Sequence, residues 1–75
     1  MDTRSVKILA IVGARLRALR EEKGLTQEAL ASLCGLDRTY ISGIERGKRN
    51  VAMRNLHSIA RALDVSLSQF FESIR

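Results

Sequence analysis

Proline and tryptophan are absent from this 75-residue chain, and cysteine and histidine occur once each. Without proline there is no imposed kink, and no Ser-, Gly- or Pro-rich tract marks a linker. One cysteine excludes an internal disulfide, and with one histidine it excludes a zinc site built from two of each. Both facts fit a reducing compartment. Aromatics make up only 4%, so the core must be aliphatic, and the stacking platforms that bind single-stranded nucleic acid are missing. Long apolar runs are missing too. The longest, Val6 to Val12, is seven residues and contains Lys7, whereas a membrane helix needs roughly 20. No small-residue cleavage site marks a signal peptide. There is no Ser/His/Asp set, no paired acid in an apolar setting and no Gly-rich phosphate loop, so neither catalysis nor a cofactor nor a metal is expected. These absences predict a soluble, cytoplasmic chain forming one domain over residues 1–75.

What is present is apolar residue at helical spacing and positive charge. Hydrophobic content of 45% suffices for a compact fold, and the formal charge is +5. Between Arg38 and Arg54 five cations (Arg38, Arg46, Lys48, Arg49, Arg54) face one anion, Glu45, a local +4. A polyanionic partner is implied.

The organising stretch runs from Gln27 to Arg46. Leu30, Ala31 and Cys34 line one face of a helix over Gln27 to Cys34, which Thr26 caps. Gly35 offers the positive φ of a tight turn. Asp37 is expected to cap a second helix, Asp37 to Arg46, whose Ile41 and Ile44 point back to the first. Arg38, Thr39, Tyr40, Ser42, Gly43 and Arg46 are left outward. That face is cationic, hydrogen-bonding and small, as a helix lying in the major groove requires. Arg38 and Thr39 open the helix, where base contacts concentrate, and Ser42 and Gly43 continue the base-reading face. Tyr40 is expected on a phosphate or sugar edge. Glycine within a helix costs about 1 kcal/mol against alanine, so Gly43 either allows backbone to approach DNA or is tolerated. Gln27 can reach a phosphate from a helix N-terminus. Arg46 and the loop Lys48, Arg49 and Asn50 supply further phosphate donors.

Gln27, Ala31, Gly35, Ile41 and Ile44 occupy the first, fifth, ninth, fifteenth and eighteenth places of the helix-turn-helix pattern. The run GLTQEALA…GLDRTYISGIERGKRN resembles the Cro/cI-like, or Xre, regulators. Within that family, DRTYISGIERGKRN looks most like controller proteins of restriction–modification systems. The resemblance spans roughly Val12 to Phe71. It implies an all-α, five-helix bundle of the lambda-repressor-like type, with the helix-turn-helix at its second and third helices. It also implies that Gln27 helps fix the helix pair on the DNA backbone, and that Glu45 pairs with Arg20.

The remaining segments read as three helices. The first, Ser5 to Lys23, has Ser5 as its expected N-cap, Gly24 as its stop, and Ile8, Val12, Leu16 and Leu19 on one face. Its first turns, with Leu9 and Ile11 off that stripe, are expected to pack on the C-terminal helix or on a second subunit. The fourth runs from Met53 to Leu63 with Leu56, Ile59, Ala60 and Leu63 apolar, and His57 on its polar side. Relatives often carry Pro then Ser or Thr where this chain has Val51 and Ala52, so Asn50 is expected to cap an earlier start. The fifth opens at Ser66 with the capping box Ser66-Leu67-Ser68-Gln69. Phe70 and Phe71, followed by Glu72 and Ile74, point about 100° apart on that helix, so one fills the core and the other faces outward. Leu33 departs from the usual polar residue at its place.

One recognition helix contacts too few base pairs for a specific site. A homodimer on an inverted-repeat double-stranded operator is therefore expected, joined through helices four and five at Met53, Val65, Leu67, Phe70 and Phe71. Its half-site centres should lie about 10 base pairs apart. RNA polymerase is a further partner that the resemblance leaves open, as are operator sequence and the sign of regulation. An antitoxin or phage-type repressor of the same fold is the alternative. An antitoxin would need a further segment to cover its toxin, and little follows Phe71.

Overall fold

The computed structural model describes residues 3–72, with side chains from Lys7 to Glu72. Five helices follow in order: α1 Thr3–Glu22, α2 Gln27–Cys34, α3 Arg38–Glu45, α4 Met53–Ala62 and α5 Leu67–Phe70. No strand occurs among the described residues, in agreement with the all-α expectation. Helix α3 packs on both α1 and α2, α4 packs on α2, and α5 packs on α4.

Aliphatic residues at the predicted spacings make the core. Leu16, Leu30, Ile41, Ile59 and Leu63 are fully buried, with Leu19, Ile44 and Leu56 nearly so. Phe70 is the aromatic that fills the centre, at 0% exposure, while Phe71 stands at 36% with its ring edge-on 5.2 Å away. Fully burying each such side chain stabilises the fold by roughly 1.5–3 kcal/mol.

Gly13, inside α1, is what lets α1 and α3 touch. A Cβ there would sit 2.1 Å from the Ile44 carbonyl oxygen and 2.9 Å from that of Glu45. Any side chain would push α1 off the recognition helix. Helical periodicity does not expose this role, because the glycine sits in the interval between Val12 and Leu16.

Each of the first four helices ends in a left-handed turn. Gly35 has φ 69°, its N–H donates to Ser32, and the Leu36 N–H returns to the Ala31 carbonyl at 2.9 Å. That is a Schellman closure, and it sets the turn between α2 and α3. After α4 the same geometry falls on Asp64, at φ 58°, with Val65 N–H bonded to the Ala60 carbonyl at 3.0 Å. An L-residue carries a conformational cost there that glycine avoids.

Several helix starts differ from the expected ones. The backbone is already helical at Thr3 and passes through Ser5, because nothing between them breaks a helix. Asp37 stands at the N-cap of α3 without a side-chain hydrogen bond. Its carbonyl, not its carboxylate, takes the Tyr40 and Ile41 N–H groups, at 3.0 and 3.2 Å. Helix α4 begins at Met53 with Ala52 as N-cap, so Asn50 does not cap an earlier start. The Tyr40 hydroxyl supplies a long-range substitute. It accepts the Ala52 N–H and the Asn55 side-chain amide, each at 3.2 Å. Thr26 and the Ser66/Gln69 capping box close as predicted. Arg15 donates to the Phe70 and Gln69 carbonyls at 2.7 and 2.8 Å and so caps the end of α5. Ile74 lies outside the described residues.

Candidate nucleic-acid interface

Helix α3 is amphipathic in the manner a groove-binding helix needs. Ile41 and Ile44 are buried, at 0% and 1%, while Arg38 and Thr39 at its first turn are exposed. The buried side fixes the helix on α1 and α2, and the exposed side is presented as a rigid edge.

A polar network lies under that edge. Arg20 Nε donates to Glu45 Oε2 at 2.6 Å and Arg20 Nη2 to Glu45 Oε1 at 3.0 Å, a bidentate pair. The side chains retain only 11% and 3% of their accessibility. The third Arg20 nitrogen, Nη1, donates to the Leu25 carbonyl at 2.7 Å. The expected structural pair is therefore present, and it joins the end of α1 to the end of α3. The Glu45 carboxylate holds the Arg20 guanidinium above its ordinary pKa, against the opposing effect of burial. Gln27 extends the network. Its amide nitrogen donates to Glu45 Oε1 at 3.1 Å, and its amide oxygen accepts from Arg38 Nη1 at 3.5 Å. The chain Arg20, Glu45, Gln27, Arg38 thus runs from the interior to the outermost cation of α3.

The loop after α3 folds back onto it. The Gly43 carbonyl accepts the N–H groups of Lys48 and Arg49 at 2.9 and 3.1 Å. A Cβ on Gly43 would lie 2.5 Å from Arg49 Cγ. Gly43, expected on the outward face, is buried beneath the Arg49 stem. Glycine is needed there for the loop, and base contact by Gly43 is not available in this arrangement. The Arg49 guanidinium stands 5.0 Å from the centroid of the Tyr40 ring, a cation–π contact. Tyr40, expected on DNA, is half-buried, with its hydroxyl engaged by Ala52 and Asn55. Because that hydroxyl accepts both bonds, its own proton stays free to donate outward. Arg46 Nε turns back to the Ser42 carbonyl at 3.3 Å. Lys48 and Asn50 are exposed.

Of the predicted interface residues, Met53 at 66% and Phe71 at 36% are exposed. Val65 and Leu67 are half-buried against the core. Phe70 is wholly inside and offers nothing to a partner, because the Phe pair splits inward and outward. His57 is exposed, and Cys34 is half-buried, its thiol pushed up by burial. Among the described residues no three His, Cys, Asp or Glu side chains converge as a metal site would, and no helix is long and apolar enough to cross a membrane.

The helix-turn-helix family model matches residues 16–70. The control protein C.MunI of Mycoplasma sp. is 49% identical over 63 residues, covering 83% of this chain and 85% of that protein. The restriction–modification controller protein C.AhdI from Aeromonas hydrophila superposes with a TM-score of 0.84 at 51% identity, over 87% of this chain and 98% of that one. The controller protein C.Esp1396I, solved as a tetramer on its natural 35 base-pair operator, superposes at 0.80 with 50% identity, over 85% and 84%. With the fold, the buried Arg20–Glu45 pair and the exposed start of α3 all in place, the chain belongs to the Xre-type helix-turn-helix family of transcriptional regulators, of the restriction–modification controller type.

Proposed function

We propose that the protein binds double-stranded DNA sequence-specifically, as a homodimer on an inverted-repeat operator, and thereby controls a restriction–modification system. The observation that carries this reading is the first turn of α3, where Arg38 and Thr39 are exposed on a helix clamped by Ile41, Ile44 and the Glu45 pair. An arginine there can pair bidentately with guanine O6 and N7, and the threonine offers a hydroxyl or a methyl group to a neighbouring base. Ser42 lies one turn on, on the same edge. Arg46, Lys48, Arg49 and Asn50 take phosphates, and the outward proton of Tyr40 is one more donor for them. Gln27 meets the backbone at the α2 N-terminus while it holds Arg38. The operator complex of C.Esp1396I supports DNA as the partner. The working role is binding, with no catalytic step.

Selection of bound fragments from random duplex DNA, followed by footprinting, tests this reading. An inverted repeat with half-site centres about 10 base pairs apart is expected. In vitro transcription from the selected site then reads contact with RNA polymerase as activation or repression. Enrichment of no sequence over random duplex would overturn the reading.

A further inference from the structure

The apolar surface that α4 and α5 offer for dimerisation is smaller than a dimer needs. Of the five residues expected there, only Met53 and Phe71 are exposed. A stable interface takes about 800 Å² from each partner, about one-sixth of the 5099 Å² this chain exposes. Two side chains cannot supply that.

The missing surface lies beside them. A groove of about 210 Å³ is lined by Ile8, Leu9, Val12, Met53, Leu56 and Phe71, together with Val51 and the polar Arg49 and Asn50. Ile8 is 46% exposed, and Ile11, one turn further along α1, is 38% exposed. Three of the five large apolar side chains that the described residues expose therefore line this one groove, the others being Ile11, next to Ile8 on α1, and Leu33. Both α1 residues precede Leu16, where the family match begins.

We infer that the first turns of α1 form part of the dimer interface, with a second copy of this chain covering the groove about a twofold axis. The inference rests on the dimer reading above and names a surface that reading lacks. A twofold interface must be complementary to itself, and this patch carries both halves: a groove between α1 and α4, and Met53 and Phe71 standing at its rim. Arg49 and Asn50, which line the same groove, belong to the DNA-facing loop. Pairing along the groove therefore sets the two recognition helices on one side of the dimer, as a palindromic site demands.

The test compares the parent chain, Ile8→Ser/Ile11→Ser and Met53→Ser by sedimentation equilibrium, with circular dichroism as the check on folding. Both substituted α1 positions are already exposed, so helicity and melting should be retained. The α1 double variant should dimerise about 10- to 100-fold more weakly than the parent. A variant-free measurement accompanies it, a dilution series of the methyl-labelled parent. Ile8 and Ile11 methyl resonances should shift with the dimer population while those of Leu33 stay fixed. If Met53→Ser dissociates the dimer and the α1 variant does not, the inference is overturned and the dimer reading stands. An unchanged dimer in both variants, with static Ile8 and Ile11 methyls, overturns it too. A parent that stays monomeric and binds operator in single copy would instead overturn the dimer reading itself.

Discussion

Replacing Glu45 with glutamine keeps the shape of the side chain and removes its charge, which makes it the sharpest probe of this molecule. Arg20 would then hold its guanidinium at 11% accessibility with no counter-charge. Breaking a buried pair from one side costs about 3–5 kcal/mol. At the usual 0.05–0.15 kcal/mol per residue, a chain of this size has a total stability of about 4–11 kcal/mol. Glu45→Gln should therefore lower the melting temperature by more than about 12 °C. Replacing both partners with fitted apolar residues, Arg20→Met with Glu45→Leu, should recover most of the loss, since such exchanges are often near neutral. Salt separates the pair from ordinary surface ions. The exposed Arg17–Glu21 contact, 3.5 Å long, is screened, whereas the buried pair should respond little to added salt. Arg20 is raised in pKa, so its share of the stability is complete below its ordinary value and is lost only as pH climbs past that strongly alkaline range. Melting should show no step from it near neutrality. A Glu45→Gln melt within about 2 °C of the parent would sink the argument, since it would mean a charge loss worth well under 1 kcal/mol.

Arg38→Ala should lose roughly 1–3 kcal/mol on the operator and relax one base position, with little effect on random duplex, as titration on both DNAs would show. Arg49→Ala should weaken both and lower the slope of log K against log salt by about one. Arg49→Lys should keep that slope, and identical profiles for Arg38→Ala and Arg49→Ala would refute the division of labour. Asp64→Gly should relieve a left-handed L-residue and stabilise by about 1 kcal/mol, read by urea denaturation; destabilisation would show that the Asp64 side chain matters more than its backbone. Burial raises the Cys34 thiol, so alkylation should lag behind that of the unfolded chain at mildly alkaline pH. Stability from the same group should be full below the ordinary thiol value and fall as pH rises past it. Alkylation as fast as in urea would contradict the burial.

Elements whose evidence is local were legible in the sequence. Thr26, Gly35, Ile41, Ile44 and the Ser66/Gln69 box sit where spacing put them, because caps and apolar stripes act within one or two turns. The family resemblance supplied the Arg20–Glu45 pair, 25 residues apart, which no periodicity reveals. What stayed hidden depends on close approach between distant segments. Gly13 carries no periodic signal, and its reason is the Ile44 carbonyl packed against it. Tyr40 had a groove-facing place in its own helix, yet the bare start of α4 draws its hydroxyl inward. Gly43 was readable as unusual, but its reason is the stem of Arg49, six residues on. The inward choice of Phe70 over Phe71 likewise needs the tilt of α5 against α4, since helical phase separates the two rings without saying which is buried.

The buried pair also explains how a carboxylate can sit on a DNA-facing helix. Glu45 is the only anion between Arg38 and Arg54, and exposed it would repel phosphate and offset one of the five cations around it. Folding turns it inward onto Arg20, a cation from outside that stretch, and the two neutralise each other out of solvent contact. The local count of +4 therefore understates the outer face, where all five cations remain unopposed by Glu45. This sorting of charge predicts a specific separation of effects in the Arg20→Met/Glu45→Leu chain. Its outward charge is unchanged, so the salt slope on random duplex should match that of the parent. Gln27, however, loses the oxygen that fixes its amide at 3.1 Å, and Arg38 loses a held neighbour. Operator affinity should fall while non-specific affinity holds. Equal losses on both DNAs would show that the pair serves the fold alone.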